Sequence, residues 1–86
     1  MESLLNNIVV VDVTSMFVYI GELTGISDKT LTLQNVDVHD LRDSKTTRER
    51  YVLDARRFGV HANRRRVLIQ LSQVVSASAL EDVLEQ

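Results

Sequence analysis

The sequence predicts a mostly β protein: a single small domain over residues 1–86, built as a strongly bent five-stranded barrel with short terminal helices. Between Ile8 and Ser76 the apolar residues are chiefly Val, Ile and Leu in short runs with threonine among them, as is typical of strands. Proline is absent and only three glycines occur, so no linker is visible. With 44% hydrophobic and 26% charged residues, the composition excludes a disordered chain.

The first half of the chain contains the clearest strand signals. Runs of Val and Ile are separated by short segments of Ser, Thr, Asp and Lys, which favour turns. From Thr30, polar and apolar residues alternate with a period of two, as in a half-buried strand. The predicted elements are one N-terminal turn at Ser3–Asn7, strand one at Ile8–Val13, strand two from Met16 or Phe17 to Ile26, a turn at Ser27–Lys29 and strand three from Thr30.

Strands two and three are expected to bend. Leu31 and Leu33 lie on one face of strand three, but Val36 and Val38 have the opposite parity, so a bulge or sharp bend is needed to bring all four to one face. Two glycines in strand two likewise permit close approach of the backbone. Long, bent neighbouring strands predict a small SH3-like or OB-like barrel.

Strands four and five are predicted from shorter signals. Tyr51, Leu53 and Ala55 alternate with polar residues, which indicates a strand. Ser78 and Glu81 have the spacing of a helix capping box. The predicted elements are a polar connection at Arg42–Thr47, strand four at Arg50–Phe58, a turn at Gly59–Asn63, strand five at Val67–Val75 and a short helix at Ala79–Leu84.

Charge is segregated along the chain. The segment Arg42–Arg66 holds nine bases against three acids, and eight of the nine are arginine, although the whole chain has a net charge of -2. Arginine binds phosphate and stacks on aromatic rings, so this segment favours a nucleic-acid partner. The alternative is a basic hairpin whose charges pair with acidic neighbours in this chain or in the next subunit.

Residue types that the chain lacks argue against several functions. Without cysteine there is no disulfide or thiolate site, and uncharged apolar runs such as Ile8–Val11 are far shorter than the roughly 20 residues of a membrane helix. With no secretory features at the N-terminus, we expect a cytoplasmic protein without a membrane partner. A core this small and without crosslinks favours oligomerisation.

No catalytic, cofactor or metal site is predicted. Neither histidine lies in a catalytic motif, and isolated glycines cannot form a phosphate loop, so we expect no enzyme and no cofactor. Asp37 and His39 share one face of a strand, but two ligands are too few to hold a metal ion. Four aromatic residues could stack on bases, but at strand positions they are expected in the core or in a subunit interface: Phe17, Tyr19, Tyr51 and Phe58.

Two segments carry a family resemblance. Residues 20–36, IGELTGISDKTLTLQNV, resemble the first motif of Sm and LSm proteins, and residues 67–75, VLIQLSQVV, resemble the strand of the second. The resemblance implies the Sm-like fold and a ring of six or seven subunits, in which strand four of one subunit pairs with strand five of the next. It also implies single-stranded RNA as the partner, bound by the loop between strands two and three and by the loop between strands four and five.

The resemblance places the RNA-binding residues at two positions. Thr30 stands where the family has an asparagine, and Asp28 and Lys29 stand where it has an aromatic residue. The residues in place of the family's arginine-glycine pair are Asn63, Arg64 and Arg65. We therefore expect a non-catalytic homo-oligomeric ring that binds single-stranded RNA. Because the asparagine and the aromatic residue are missing, a structural or protein-interaction ring without RNA binding is the alternative.

Overall fold

The computed structural model describes residues 1–43 and 45–85, in which five strands and one α-helix occur. Four short 3-10 turns occupy Glu2–Leu4, Leu41–Asp43, Leu71–Gln73 and Leu80–Asp82. The main elements are β1 (Ile8–Val13), β2 (Phe17–Ile26), β3 (Thr30–Asp40), α1 (Arg48–Phe58), β4 (Arg64–Gln70) and β5 (Val74–Ala79).

The strands form one antiparallel sheet in the order β4-β3-β2-β1-β5. The sheet is open, so the expectation of a closed barrel is wrong: β4 and β5 are its two edges and no ladder joins them within the described residues. The sheet is nevertheless strongly bent. Five flat strands would place their edges about 19 Å apart, whereas Leu71–Gln73 connects the two edge strands and can span only about 14 Å.

The predicted bend in β3 is confirmed. The register between β2 and β3 shifts by one residue between Ile20 and Glu22, and Asn35 adopts a left-handed φ of 51° at this position. Gly21 faces the bulge, where a Cβ atom would lie 3.1 Å from the carbonyl oxygen of Gln34. Glycine is therefore favoured here, because a Cβ atom would push against the neighbouring backbone.

The bulge sorts the apolar side chains onto one face of the sheet. Leu31, Leu33 and Val36 all belong to one buried cluster, as the parity change requires, and Val38 packs against it. The opposite face is covered by α1. The second cluster comprises Val10, Val18, Ile20, Val52, Ala55 and Leu80.

The segment predicted as strand four is the helix α1. Thr47 caps its N-terminus by accepting a hydrogen bond from the backbone N–H of Arg50, and Gly59, with φ of 94°, ends it. Tyr51 and Ala55 are four residues apart, a spacing that puts two side chains on the same face of a strand and also on the same face of a helix. Here they share the buried side of the helix. Arginine, glutamate, leucine and alanine favour helix over strand, and this local preference decides the conformation.

The predicted fifth strand is divided. β4 begins before it at Arg64 and ends at Gln70, the turn Leu71–Gln73 interrupts it, and β5 continues to Ala79. The prediction of a C-terminal helix at Ala79–Leu84 is also wrong. Ala79 pairs with Val9 in the β1–β5 ladder, and only the 3-10 turn Leu80–Asp82 follows it. The N-terminal turn is confirmed at Glu2–Leu4.

Candidate nucleic-acid interface

Arg64, Arg65 and Arg66 are the first three residues of β4, an edge strand of the sheet. All three side chains are exposed. Within residues 1–43 and 45–85, this strand is paired on one side only: Arg64 lies opposite Val36 of β3 and Arg66 opposite Gln34. The three arginines therefore belong to an edge strand whose outer side is unpaired in the described residues, and their side chains alternate between the two faces of the sheet.

Asn63 fixes the start of this strand. Its backbone N–H donates to the carbonyl of Val36 at 2.8 Å. Its side-chain oxygen accepts from the backbone N–H of Val38 at 3.0 Å, and its amide nitrogen donates to the Val38 carbonyl at 2.9 Å. The side chain thus pairs with β3 as a backbone segment would. We infer that Asn63 positions the arginines and leaves contact with a ligand to them.

The other arginines of the basic segment are mostly paired with carboxylates. Hydrogen bonds from Arg42 lower the pKa of Asp40 from 3.8 to about 2. By contrast, none of Arg64–Arg66 has a carboxylate partner in the part of the chain that the structure describes; Arg64 only donates to the Asn63 carbonyl. The pairs are Arg42–Asp40 at 2.8 Å, Arg50–Asp54 at 3.2 Å, Arg57–Glu85 at 2.7 Å, and Arg48 with both Asp12 and Glu49.

The second predicted group lies in the turn between β2 and β3. The hydroxyl of Ser27 accepts from the backbone N–H of Thr30 at 3.0 Å and contacts the Thr30 hydroxyl at 2.9 Å. The carbonyl of Lys29 accepts from the N–H of Leu71 at 2.8 Å. The side chains of Asp28 and Lys29 are exposed. Hydrogen bonds therefore hold the backbone of this turn, and the Thr30 hydroxyl already contacts Ser27.

The structure does not bring the two predicted groups together. Thr30 lies opposite Gln70 at one end of β4, whereas Arg64 is at the other end, about 20 Å away along the strand. The placement of Arg64 and Arg65 in a turn between strands four and five is wrong, because that turn is Leu71–Gln73. The misplaced strand four explains the error.

The structure has a cavity of about 250 Å³ at the C-terminal end of α1, which the sequence patterns do not predict. Phe58, which lines it, is 73% exposed, so it is not a core residue of this chain. His61 also lines the cavity and lies only three residues before Arg64. Recognising Thr47 and Gly59 as helix boundaries would have placed this aromatic residue at the end of a helix, next to the arginines.

Asp37, Tyr51 and His39 form a polar cluster between β3 and α1. The Tyr51 hydroxyl donates to the carboxylate of Asp37, which is only 6% exposed. The rings of Tyr51 and His39 stack with centroids 3.7 Å apart. Burial and the hydrogen bond to Asp37 raise the pKa of Tyr51. The Nε2 atom of His39 is buried and has no hydrogen-bond partner among the described residues.

No model of a known protein family matches the chain, and a search of curated proteins also finds no match. Within residues 1–43 and 45–85, no group of three or more His, Cys, Asp or Glu side chains is arranged to hold a metal ion. No helix in the same residues is long and apolar enough to cross a membrane.

Proposed function

We propose that this chain is a non-catalytic Sm-like subunit that associates with copies of itself and binds single-stranded RNA. The observation that supports RNA binding is the run Arg64–Arg66, whose exposed guanidinium groups have no carboxylate partner in the described part of the chain. Guanidinium groups bind phosphate oxygens in a bidentate manner. Because four other arginines are neutralised within the chain, this run has the charge available for phosphates.

The two edges of the sheet support self-association. β4 and β5 each have one unpaired side in the described residues, and each exposes a large apolar side chain: Leu68 is 60% exposed and Val75 67%. Such edges favour pairing with another strand. Pairing of β4 in one subunit with β5 in the next, repeated around a closed circle, gives the ring of six or seven subunits that the resemblance implies. The alternative is the same ring without RNA binding.

RNA binding is tested by fluorescence anisotropy with labelled uridine and adenine tracts at about 50 mM salt, where phosphate contacts are strongest. The double variant Arg64→Ala/Arg65→Ala should bind both tracts more weakly than the parent. The matched control, Arg42→Ala/Lys45→Ala, removes the same two charges elsewhere and should have the smaller effect. If neither tract binds the parent, the ring without RNA binding is the correct description. Equal affinity of both variants would contradict the assignment to Arg64 and Arg65.

Self-association is tested by light scattering at micromolar protein concentration. The parent should have the mass of six or seven chains. Val75→Lys and Leu68→Lys place a charge on each edge strand and should reduce the mass while the far-UV circular dichroism spectrum stays unchanged, because both side chains are exposed. Ser72→Lys, in the exposed turn between the edge strands, is the control. A monomeric parent would overturn the ring.

A further inference from the structure

We propose that the cavity at the C-terminal end of α1 is a base-binding pocket that takes a guanine of the bound strand; this inference rests on the proposed RNA-binding function. The cavity lies between β3 and the segment that leads from α1 into β4. Its lining includes Asp37, Tyr51, Asp54, Phe58 and His61.

The size of the cavity suits a single ring system. At about 250 Å³ it is smaller than the roughly 300–1,000 Å³ of pockets that enclose drug-sized ligands. Phe58 is at the rim and belongs to neither buried cluster. The neighbouring Gly59 leaves open space, since a Cβ built there meets no atom within 4 Å. An exposed phenyl ring beside open space provides a flat surface on which a base can stack.

The polar groups of the cavity select a ligand that donates hydrogen bonds. Asp37 uses one carboxylate oxygen to accept from Tyr51, and Asp54 uses one to accept from Arg50 at 3.2 Å. An ionised carboxylate only accepts hydrogen bonds and has about four acceptor positions, so both aspartates retain acceptor capacity. The same two negative charges repel a phosphate group. The cavity is therefore suited to a base, and the phosphates of the strand must lie outside it.

The surroundings favour a base over a cationic side chain of a protein partner. Arg64 follows His61 by three residues, a span of about 10 Å, and has no carboxylate partner among the described residues. Its positive charge disfavours a cationic ligand and is available to bind a phosphate next to an inserted base.

The carboxylates further select among the bases. Guanine presents two adjacent donors, its ring N1–H and its amino group, on one edge, and these match the two oxygens of a carboxylate. Adenine and cytosine present one amino group, and uracil presents one ring N–H. A bidentate contact both strengthens binding and fixes geometry. Asp54 is the better placed of the two aspartates for this contact, because its side chain is 39% exposed whereas Asp37 is buried.

The test compares three labelled uridine tracts of equal length: one uninterrupted, one with a single central guanine and one with a single central adenine. Only one guanine is used in each strand, so that the strands do not associate with one another through guanine–guanine contacts. The parent should bind the guanine strand at least about fivefold more tightly than the other two, the lower end of the discrimination expected from one bidentate contact. Anisotropy at a fixed salt concentration measures all three affinities.

Two variants and their controls locate the pocket. Phe58→Ala should lower affinity for the guanine strand at least about fivefold, and Phe58→Trp should restore it, because stacking needs an aromatic ring. Asp54→Asn should abolish the preference for guanine. Arg50→Gln breaks the same ion pair but keeps the carboxylate, so it should retain the preference. Far-UV circular dichroism verifies that each variant is folded.

Each result distinguishes the pocket from the proposed function. Failure of all three strands to bind the parent overturns RNA binding and the pocket with it. Equal affinity for the three strands leaves RNA binding intact but overturns the guanine pocket. If the guanine preference survives both Phe58→Ala and Asp54→Asn, guanine is recognised at another site and this assignment is overturned. A preference lost in both variants and kept in both controls supports it.

Discussion

Replacing Tyr51 with phenylalanine isolates one hydrogen bond that attaches α1 to the sheet. The substitution removes the hydroxyl that donates to the buried carboxylate of Asp37 and keeps the ring that stacks on His39. An unmade hydrogen bond to a buried group costs about 1–3 kcal/mol, and more when the group is charged. Because Asp37 is only 6% exposed, little water can replace the phenol. We expect the free energy of unfolding to fall by about 2 kcal/mol.

The assay is urea unfolding followed by far-UV circular dichroism at one fixed protein concentration, because self-association also affects stability. Tyr19→Phe is the matched control, since the Tyr19 hydroxyl makes no hydrogen bond within the described residues and should change stability by less than about 0.5 kcal/mol. If Tyr51→Phe costs no more than Tyr19→Phe, the hydrogen bond to Asp37 does not stabilise the fold.

The pH dependence of this pair has a definite sign. Burial and the bond to Asp37 raise the pKa of Tyr51 above its ordinary value of 10.0, so the folded state favours the neutral phenol. The resulting stabilisation is complete below pH 10 and is lost as the pH rises above it, because the unfolded chain then releases the proton first. The stability difference between the parent and Tyr51→Phe should therefore shrink above pH 10. A difference that grows there would contradict the assigned sign.

Three further changes test the fold. Gly21→Ala should lower the free energy of unfolding by about 1–3 kcal/mol, because its Cβ would lie 3.1 Å from the Gln34 carbonyl oxygen. Gly25→Ala is the control and should change stability little, because its nearest contact is at 3.5 Å. Equal effects in urea unfolding would contradict the close approach at Gly21. Thr47→Ala should cost about 1 kcal/mol through loss of the helix cap, and an unchanged unfolding midpoint would refute it. Arg42→Ala should raise the pKa of Asp40 from about 2 towards 3.8 in an NMR titration; an unmoved pKa would rule out the ion pair.

Local patterns were sufficient to predict the first three strands. The alternation from Thr30 and the polar turn before it depend only on near neighbours, and the parity change after Leu33 required the bulge at Asn35. The pattern failed at α1, because Tyr51 and Ala55 fit a period of two as well as a helical spacing. The helix boundaries Thr47 and Gly59 distinguish the helix from a strand.

The paired and unpaired arginines could not be distinguished in the sequence. Arg48 pairs with Asp12, 36 residues away, and Arg57 pairs with Glu85, 28 residues away. Such partners meet only through the tertiary fold, so charge counting alone left both the RNA-binding and the neutralised interpretations open. The distance between Thr30 and Arg64 likewise depends on the register between β3 and β4. That register could not be predicted while strand four was placed at Arg50–Phe58.

The salt dependence of RNA binding tests the central claim most directly. Each phosphate contact on a single strand contributes about 0.7 to the slope of the logarithm of affinity against the logarithm of salt concentration. If Arg64, Arg65 and Arg66 each bind a phosphate, the triple alanine variant should have a slope smaller than that of the parent by about 2, for uridine and adenine tracts alike. A triple variant that keeps the parent's slope and affinity would contradict the claim that this arginine run is the RNA-binding surface.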